Sequence, residues 1–339
     1  MRLTRDQVKL LLEYVPLVVG AGALAFGLTG GWIQGVFGGD GNDETVAATT
    51  TAAATTTQNI SETGIDWLLV IQLGAVVAVR PDGSSEQVLI GAELNAWRAT
   101  WSPDGRNIAF NGDNHSVTIF DLEDRTAETI AYGAELGGWS PDGAQIVVSD
   151  LGEEYYSEEL QTWKRPHVGL SLINVATGDR QLLTSGAYMY HSSPSFEPSG
   201  AGVVFHEQTW DYGGDIFRVN LDSSGLELLG PGDNPRVSPD GTKMLYSIDA
   251  REGGSGIGIM DSDGTRSEGG VPGGGAVWSP DGRSFAFSRY DEDTGMTKVW
   301  ILDLAQGSAV GPRPTGLVAF VSDWGVSSLV EPQTTKLVP

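Results

Sequence analysis

The apolar residues of this chain fall in short runs divided by turn residues, and the runs recur at a period near 40 residues. Ile108-Ala109-Phe110, Ile146-Val147-Val148, Val203-Val204-Phe205, Met244-Leu245-Tyr246 and Phe285-Ala286-Phe287 each follow a related phrase. That phrase reads Trp101-Ser102-Pro103-Asp104-Gly105, Trp139-Ser140-Pro141-Asp142-Gly143, Val237-Ser238-Pro239-Asp240-Gly241 and Trp278-Ser279-Pro280-Asp281-Gly282. A worn copy is Phe196-Glu197-Pro198-Ser199-Gly200, and a fainter one is Val321-Ser322-Asp323-Trp324-Gly325. Proline presets φ at the first corner of a turn, aspartate bonds back to nearby backbone, and glycine accepts a positive φ. Each phrase therefore predicts a tight hairpin, with the large apolar residue ending the incoming strand.

A third strand follows in every unit, at residues 117–120, 170–173, 216–219, 257–260 and 299–302. Each is followed by Asp121, Asn174, Asn220, Asp261 or Asp303, which suit the start of a turn better than a ring of metal carboxylates. Four strands per unit, repeated radially, predict an all-β six-bladed β-propeller over residues 66–331. The sixth blade must be shared. The N-terminal part supplies three strands, beginning with residues 67–71, and residues 317–321 supply the inner one, with 326–330 as another candidate strand. Pairing the two ends closes the ring and removes open sheet edges.

Outside this region the pattern changes. Residues 1–9 are a short basic-leaning head, and 14–37 carry no charge. A stretch of that length reaches across a bilayer core of about 30 Å, which predicts a transmembrane anchor at 10–37 or, at its apolar centre 17–28, the core of a signal peptide. Arg2, Arg5 and Lys9 on one side and Asp40, Asp43 and Glu44 on the other place the rest outside the cytoplasm, at the cell membrane or secreted if the segment is cleaved. Residues 38–65 are rich in Thr and Ala, without apolar periodicity, and read as a disordered linker, with 332–339 as a tail.

Charge and composition narrow the partners. Asp and Glu outnumber Lys and Arg 44 to 20, a net charge of −24 that repels phosphate backbones and excludes nucleic acid as a partner. The chain has no cysteine and so no thiol chemistry.

The repeated Trp-Ser-Pro-Asp-Gly phrase, followed by an Ile-Ala-Phe-like strand, resembles that of the TolB-like six-bladed propellers. The resemblance covers residues 66–331 and implies the fold. It leaves the function open among protein docking, gating of a peptidase and carbohydrate chemistry. TolB carries an α/β domain before its propeller, which this chain does not show, so a role in the Tol system is not implied.

A catalytic site is not legible. There is no Gly-x-Ser-x-Gly elbow, no phosphate-binding loop and no metal-ligand spacing among His115, His167, His191 and His206. No cofactor is expected. One unit is longer than the others: Trp139 to Phe196 is 57 positions, against 38 from Trp101 to Trp139. The excess lies between the second and third strands of its blade and holds Glu153, Glu154, Tyr155, Tyr156 and Trp163. Propeller topology puts this loop on the face opposite the hairpins, together with Tyr188, Tyr190, His191, Trp210, Asp211, Tyr212, Tyr290 and Asp291. Aromatics clustered with charges mark recognition surfaces. The expectation is a membrane-anchored, non-catalytic scaffold that binds a protein or polysaccharide on this face. The alternative is a carbohydrate-active hydrolase or lyase built on His191, His206 or the acidic rim, with a divalent metal.

Overall fold

The computed structural model describes residues 50–51, 60–153, 155–157, 162–164, 167–185, 190–208, 214–248, 256–266, 270–304 and 311–329. Six antiparallel sheets are arranged as six blades. Blade 1 runs Arg98–Trp101, Asn107–Asn111, Val117–Asp121, Thr126–Ala131, and Thr50–Thr51 adds a short strand to its outer edge. Blade 2 runs Ala134–Trp139, Gln145–Leu151, His167–Asn174, Arg180–Ser185, and blade 3 runs Tyr190–Phe196, Gly202–Gln208, Gly214–Asn220, Glu227–Pro231. Blade 4 has three strands, Asp233–Val237, Lys243–Ser247 and Ile257–Asp261. Single bridges from Ile257 to Val271 and from Met260 to Arg266 take the place of its outer strand. Blade 5 runs Gly274–Trp278, Ser284–Asp291, Met296–Asp303, Arg313–Val318.

Blade 6 joins the two ends of the propeller. Phe320–Leu329 is its inner strand, followed outward by Ile60–Gln72, Ala75–Val79 and Glu86–Ile90. Trp67 lies opposite Gly325, and Val70 lies opposite Val321. The faint phrase at 321–325 is therefore no turn: all five residues lie within this inner strand. The expected inner strand at 317–321 is displaced toward the C-terminus, since Leu317 and Val318 end the outer strand of blade 5 and the inner strand runs on from Phe320 through most of the second candidate, 326–330.

The second strands are buried on both faces, so they read as continuous apolar runs rather than alternating ones. Alternate residues face opposite neighbours. In blade 6, Trp67, Leu69 and Ile71 pack with Ile108, Phe110 and Phe120 of blade 1, whereas Leu68 and Val70 pack with Val277, Ala286 and Val299 of blade 5.

The four full phrases fold identically. Ser102 Oγ donates to Asp104 Oδ1 at 2.6 Å, Arg106 N–H donates to the same carboxylate at 3.1 Å, and Asn107 N–H donates to Ser102 Oγ at 2.9 Å. The same network recurs at Ser140–Asp142, Ser238–Asp240 and Ser279–Asp281. The glycines at 105, 143, 241 and 282 have φ between 67° and 74°, where a Cβ would be strained. In the worn copy Glu197 replaces the serine, and its carboxylate instead accepts from Arg218 Nε at 2.7 Å. The turn-starting role of Asp121 and Asn174 is direct, since each side chain accepts two backbone N–H groups of the turn that follows.

The membrane assignment needs correction. Among the described residues no helix is long and apolar enough to cross a membrane. A span needs about 20 helical residues, and the helical pieces here are three-residue turns, Ala92–Leu94 and Asp113–His115. The expected head (1–9), anchor (10–37) and tail (332–339) lie outside the described residues. The expected disordered linker, 38–65, is corrected where it is described: Thr50–Thr51 pairs with the outer edge of blade 1, and the strand that begins at Ile60 pairs with the inner strand of blade 6. The membrane partner, the single-pass topology and the location outside the cytoplasm are accordingly withdrawn.

Candidate functional site

Every inner strand runs from the face carrying the blade-to-blade connections toward the face carrying the phrase hairpins. The inner strands of blades 2 to 6 are each irregular near the axis. Their registers shift around Gly137, Ser193-Pro194, Asn234-Pro235, Gly275-Ala276 and Ser322. Such bulges re-aim side chains and free backbone groups. Ser193 and Asn234 occupy the left-handed region at φ 53° and 51°, which is strained for serine and tolerated by asparagine.

These strands bring five charged side chains together around the axis: Arg98, Glu135, Asp233, Arg236 and Asp323. Arg98 and Glu135 are buried, each 8% exposed. Arg98 Nη2 donates to Gly137 O at 3.4 Å, and Arg236 Nη1 donates to Pro235 O at 2.8 Å and Ser193 O at 3.4 Å. Burial is the main influence on all four groups with a resolved shift. It raises Asp323 against the hydrogen bonds and the arginines that lower it, and it pushes Glu135 up to about 7 with Arg98 opposing. It pulls both guanidiniums downward, and Arg98's charge adds to that effect at Arg236. A guanidinium does not give up its proton in a protein, so these two stay charged.

Asp323 also closes the ring. Its carboxylate accepts the N–H groups of Trp101 and Trp324, each at 2.8 Å. Beside it, Ser322 Oγ accepts from Ala99 N–H and donates to Ala99 O, both at 2.7 Å.

Next to this cluster, blade 3 carries two histidines. His191 is buried; its Nε2 lies 2.9 Å from Glu207 Oε2 and its Nδ1 2.8 Å from Thr184 Oγ1. Burial lowers its pKa, with Glu207 pulling the other way. His206 Nδ1 lies 3.1 Å from Ser192 Oγ and 3.2 Å from Asp233 Oδ1. Each histidine thus has its own carboxylate. Among the described residues, however, no group of three His, Asp or Glu side chains could hold a metal ion.

The residues expected on the recognition face are placed as follows. Tyr155 and Tyr156 lie in Tyr155–Ser157, which pairs with Thr162–Lys164, carrying Trp163, as a separate hairpin off blade 2. Glu153 is exposed at its base. Tyr190 and His191 begin the inner strand of blade 3, where His191 turns inward. Tyr290 is 61% exposed on blade 5. Asp291, in the same strand, binds Lys298 Nζ at 2.7 Å and two groups of Thr294, which together hold its carboxyl down at about 2. Glu154, Tyr188, Trp210, Asp211 and Tyr212 lie outside the described residues.

Six blades, closed by an inner strand from the C-terminal part, match solved structures over most of the chain. TolB from Acinetobacter baumannii superposes with a TM-score of 0.58, at 15% identity, over 78% of this chain and 66% of that one. A TolB candidate protein of Agrobacterium tumefaciens gives 0.56 at 20% identity, over 78% and 98%. This is a TolB-like six-bladed β-propeller. At such identities the likeness concerns fold alone, and a chain from a nidogen/laminin complex scores 0.57 at 10% identity, over 78% of this chain and 98% of that one.

Among curated sequences the TolB-like propeller matches the uncharacterized peptidase YuxL of Bacillus subtilis. The match is 34% identical over 136 residues, 31% of this chain and 20% of that one. It also matches the uncharacterized protein Atu1656 of Agrobacterium fabrum at 28% over 174 residues, 45% and 54% of the two chains. The chain therefore spans about a fifth and about half of the lengths of these relatives. No family model matches it.

The axial charges escaped sequence reasoning, yet a signal was present. Arg98, Glu135 and Asp233 stand three or four positions before Trp101, Trp139 and Val237. A charge so close to the end of an inner strand marks a side chain turned to the axis rather than to a neighbouring blade.

Proposed function

We propose that this propeller is a binding scaffold that engages an apolar protein segment on the face of the blade connections. The observation that carries the reading is where exposed apolar side chains collect. Of the twelve large apolar residues exposed among the described residues, seven lie on this face. Five of them, Leu73, Tyr290, Met296, Val318 and Phe320, share the rim of blades 5 and 6, and Tyr132 and Val168 lie on that of blades 1 and 2.

Leu73 supports the reading further. It is 95% exposed and held at φ 51° at the tip of the hairpin between Ile60–Gln72 and Ala75–Val79. Leucine at positive φ costs roughly 1–2 kcal/mol, and asparagine would suit both the conformation and the solvent better. Aliphatic Leu, Met and Val fit a protein segment better than a sugar chain, which needs polar partners. The binding reading uses nothing from the two histidines, whose ring contacts are with side chains of their own blade and its neighbours.

The test compares capture by the full chain with capture by a Leu73→Asn/Tyr290→Ala variant. The expected outcome is a protein partner retained by the first and lost by the second, while the melting midpoint of the variant stays level or rises. Equal capture by both would remove the rim from the reading. Retention of a polysaccharide instead would replace the class of partner.

A further inference from the structure

We infer that Arg98 and Arg236 form an axial subsite for one oxyanion of carboxylate or phosphate type. This site stands apart from the apolar rim and does not depend on it.

The geometry begins with the ring itself. Arg98 comes from blade 1 and Arg236 from blade 4, which lie across the axis from each other. Their guanidinium groups nevertheless reach neighbouring carbonyls, Gly137 O on blade 2 and Ser193 O on blade 3. Those carbonyls belong to strands in close contact, since a Cβ on Gly137 would lie 2.7 Å from Pro194 O. The two cations thus approach each other from opposite sides, closely enough for the charge of Arg98 to bear on Arg236.

Most of their donors are unspent. A guanidinium has five N–H groups. Arg98 makes a single long bond, and Arg236 uses only Nη1. Among the described residues neither forms an ion pair with a carboxylate. Buried charges of this kind are costly unless paired, and two convergent arginines match the planar, two-pronged geometry of an oxyanion.

The nearby carboxylates act on both guanidiniums through their charge, and Asp323 and Asp233 spend their hydrogen bonds on other groups. Asp323 accepts two backbone N–H groups at the seam. Asp233 accepts from Asn234 N–H at 2.5 Å and faces His206. Glu135 interacts with Arg98 through its charge and competes with an incoming anion for it. Arg236 is only partly buried.

The experiment is an equilibrium titration of the full chain with sodium acetate and, separately, with inorganic phosphate, with sodium chloride holding ionic strength constant. Expected is saturable binding of one oxyanion per chain in at least one arm, and the stronger arm names the source. Arg236→Gln should weaken it about tenfold or more, the effect of losing charged hydrogen bonds. Arg98→Gln should do the same; if that buried change prevents folding, the partly exposed Arg236 carries the test. Glu135→Gln, which removes the competitor, should tighten binding several-fold. Binding that fails to saturate in both arms, or that Arg236→Gln leaves unchanged, overturns the site, as does unchanged or weaker binding by Glu135→Gln.

Discussion

The indole N–H of Trp101 donates to the backbone carbonyl of Trp67 at 3.2 Å, across the seam where blade 1 meets blade 6. Trp278 does the same from blade 5, donating to Arg236 O on blade 4 at 2.9 Å. The aromatic residue of the phrase is therefore a staple between blades as well as the end of a strand. Trp139 is the exception, for its Nε1 is buried and has no partner.

That contrast predicts different costs for one substitution. Trp101→Phe loses a hydrogen bond and strands the Trp67 carbonyl, which should lower stability by about 1–2 kcal/mol beyond the loss of ring area. Trp139→Phe removes an unsatisfied donor and should cost less. Urea unfolding of the two variants measures the difference, and equal losses would mean that the staple contributes nothing.

The same seam depends on a glycine. A Cβ on Gly325 would lie 2.5 Å from Trp101 Cδ1 and 2.9 Å from its Cβ, whereas one on Gly138 would meet nothing within 4 Å. Gly325→Ala should destabilise by about 1–3 kcal/mol through overpacking, and Gly138→Ala should stay within about 0.5 kcal/mol. Thermal melts of both variants check this.

Much of this architecture was legible because a turn is a local object. Ser102-Pro103-Asp104-Gly105 specifies its own hydrogen bonds, so four copies could be counted without knowing what surrounds them. The shared sixth blade was also legible, since three strands at one end and one at the other leave a single way to close a ring. What the sequence concealed depends on register. Ser322 and Asp323 look like a worn turn, yet their side chains satisfy backbone groups of blade 1 within a continuous strand. Arg98 and Arg236 stand 138 positions apart, and only the ring brings them together. His191 looked like part of an aromatic rim, but one residue of alternation turns it inward onto Glu207.

That contact yields a third prediction. Glu207→Ala leaves a buried imidazole nitrogen without its partner, and it should cost about 1–3 kcal/mol. Glu207→Gln keeps a hydrogen-bonding group and should cost less. The measurement is chemical denaturation at neutral pH. An alanine variant as stable as the parent would show that His191 finds another partner at no cost.

The dependence of stability on pH should have two opposed arms. Asp142, Asp240 and Asp281 are held below the ordinary aspartate value of 3.8, chiefly by the serine hydroxyl of their own turn and then by a backbone N–H. A depressed carboxylate contributes stability above its unfolded pKa, and that stability is lost as pH falls through the folded value. The acid arm therefore lies below about pH 4. Glu135 acts in the other direction. Burial raises it from 4.5 to about 7, so its contribution is complete below 4.5 and is lost as pH rises toward 7. The raised Asp323 adds to the same arm, as does the self-repulsion of a chain with a net charge of −24. Stability should peak between these arms, near pH 4 to 5, and decline toward neutrality. Urea midpoints from pH 3 to 8 would trace the curve. Glu135→Gln should flatten the limb between about pH 5 and 7, and the triple change of Asp142, Asp240 and Asp281 to Asn should flatten the acid limb alone. A parent protein whose stability climbs steadily from pH 5 to 7 would contradict the burial of Glu135 in the charged axis.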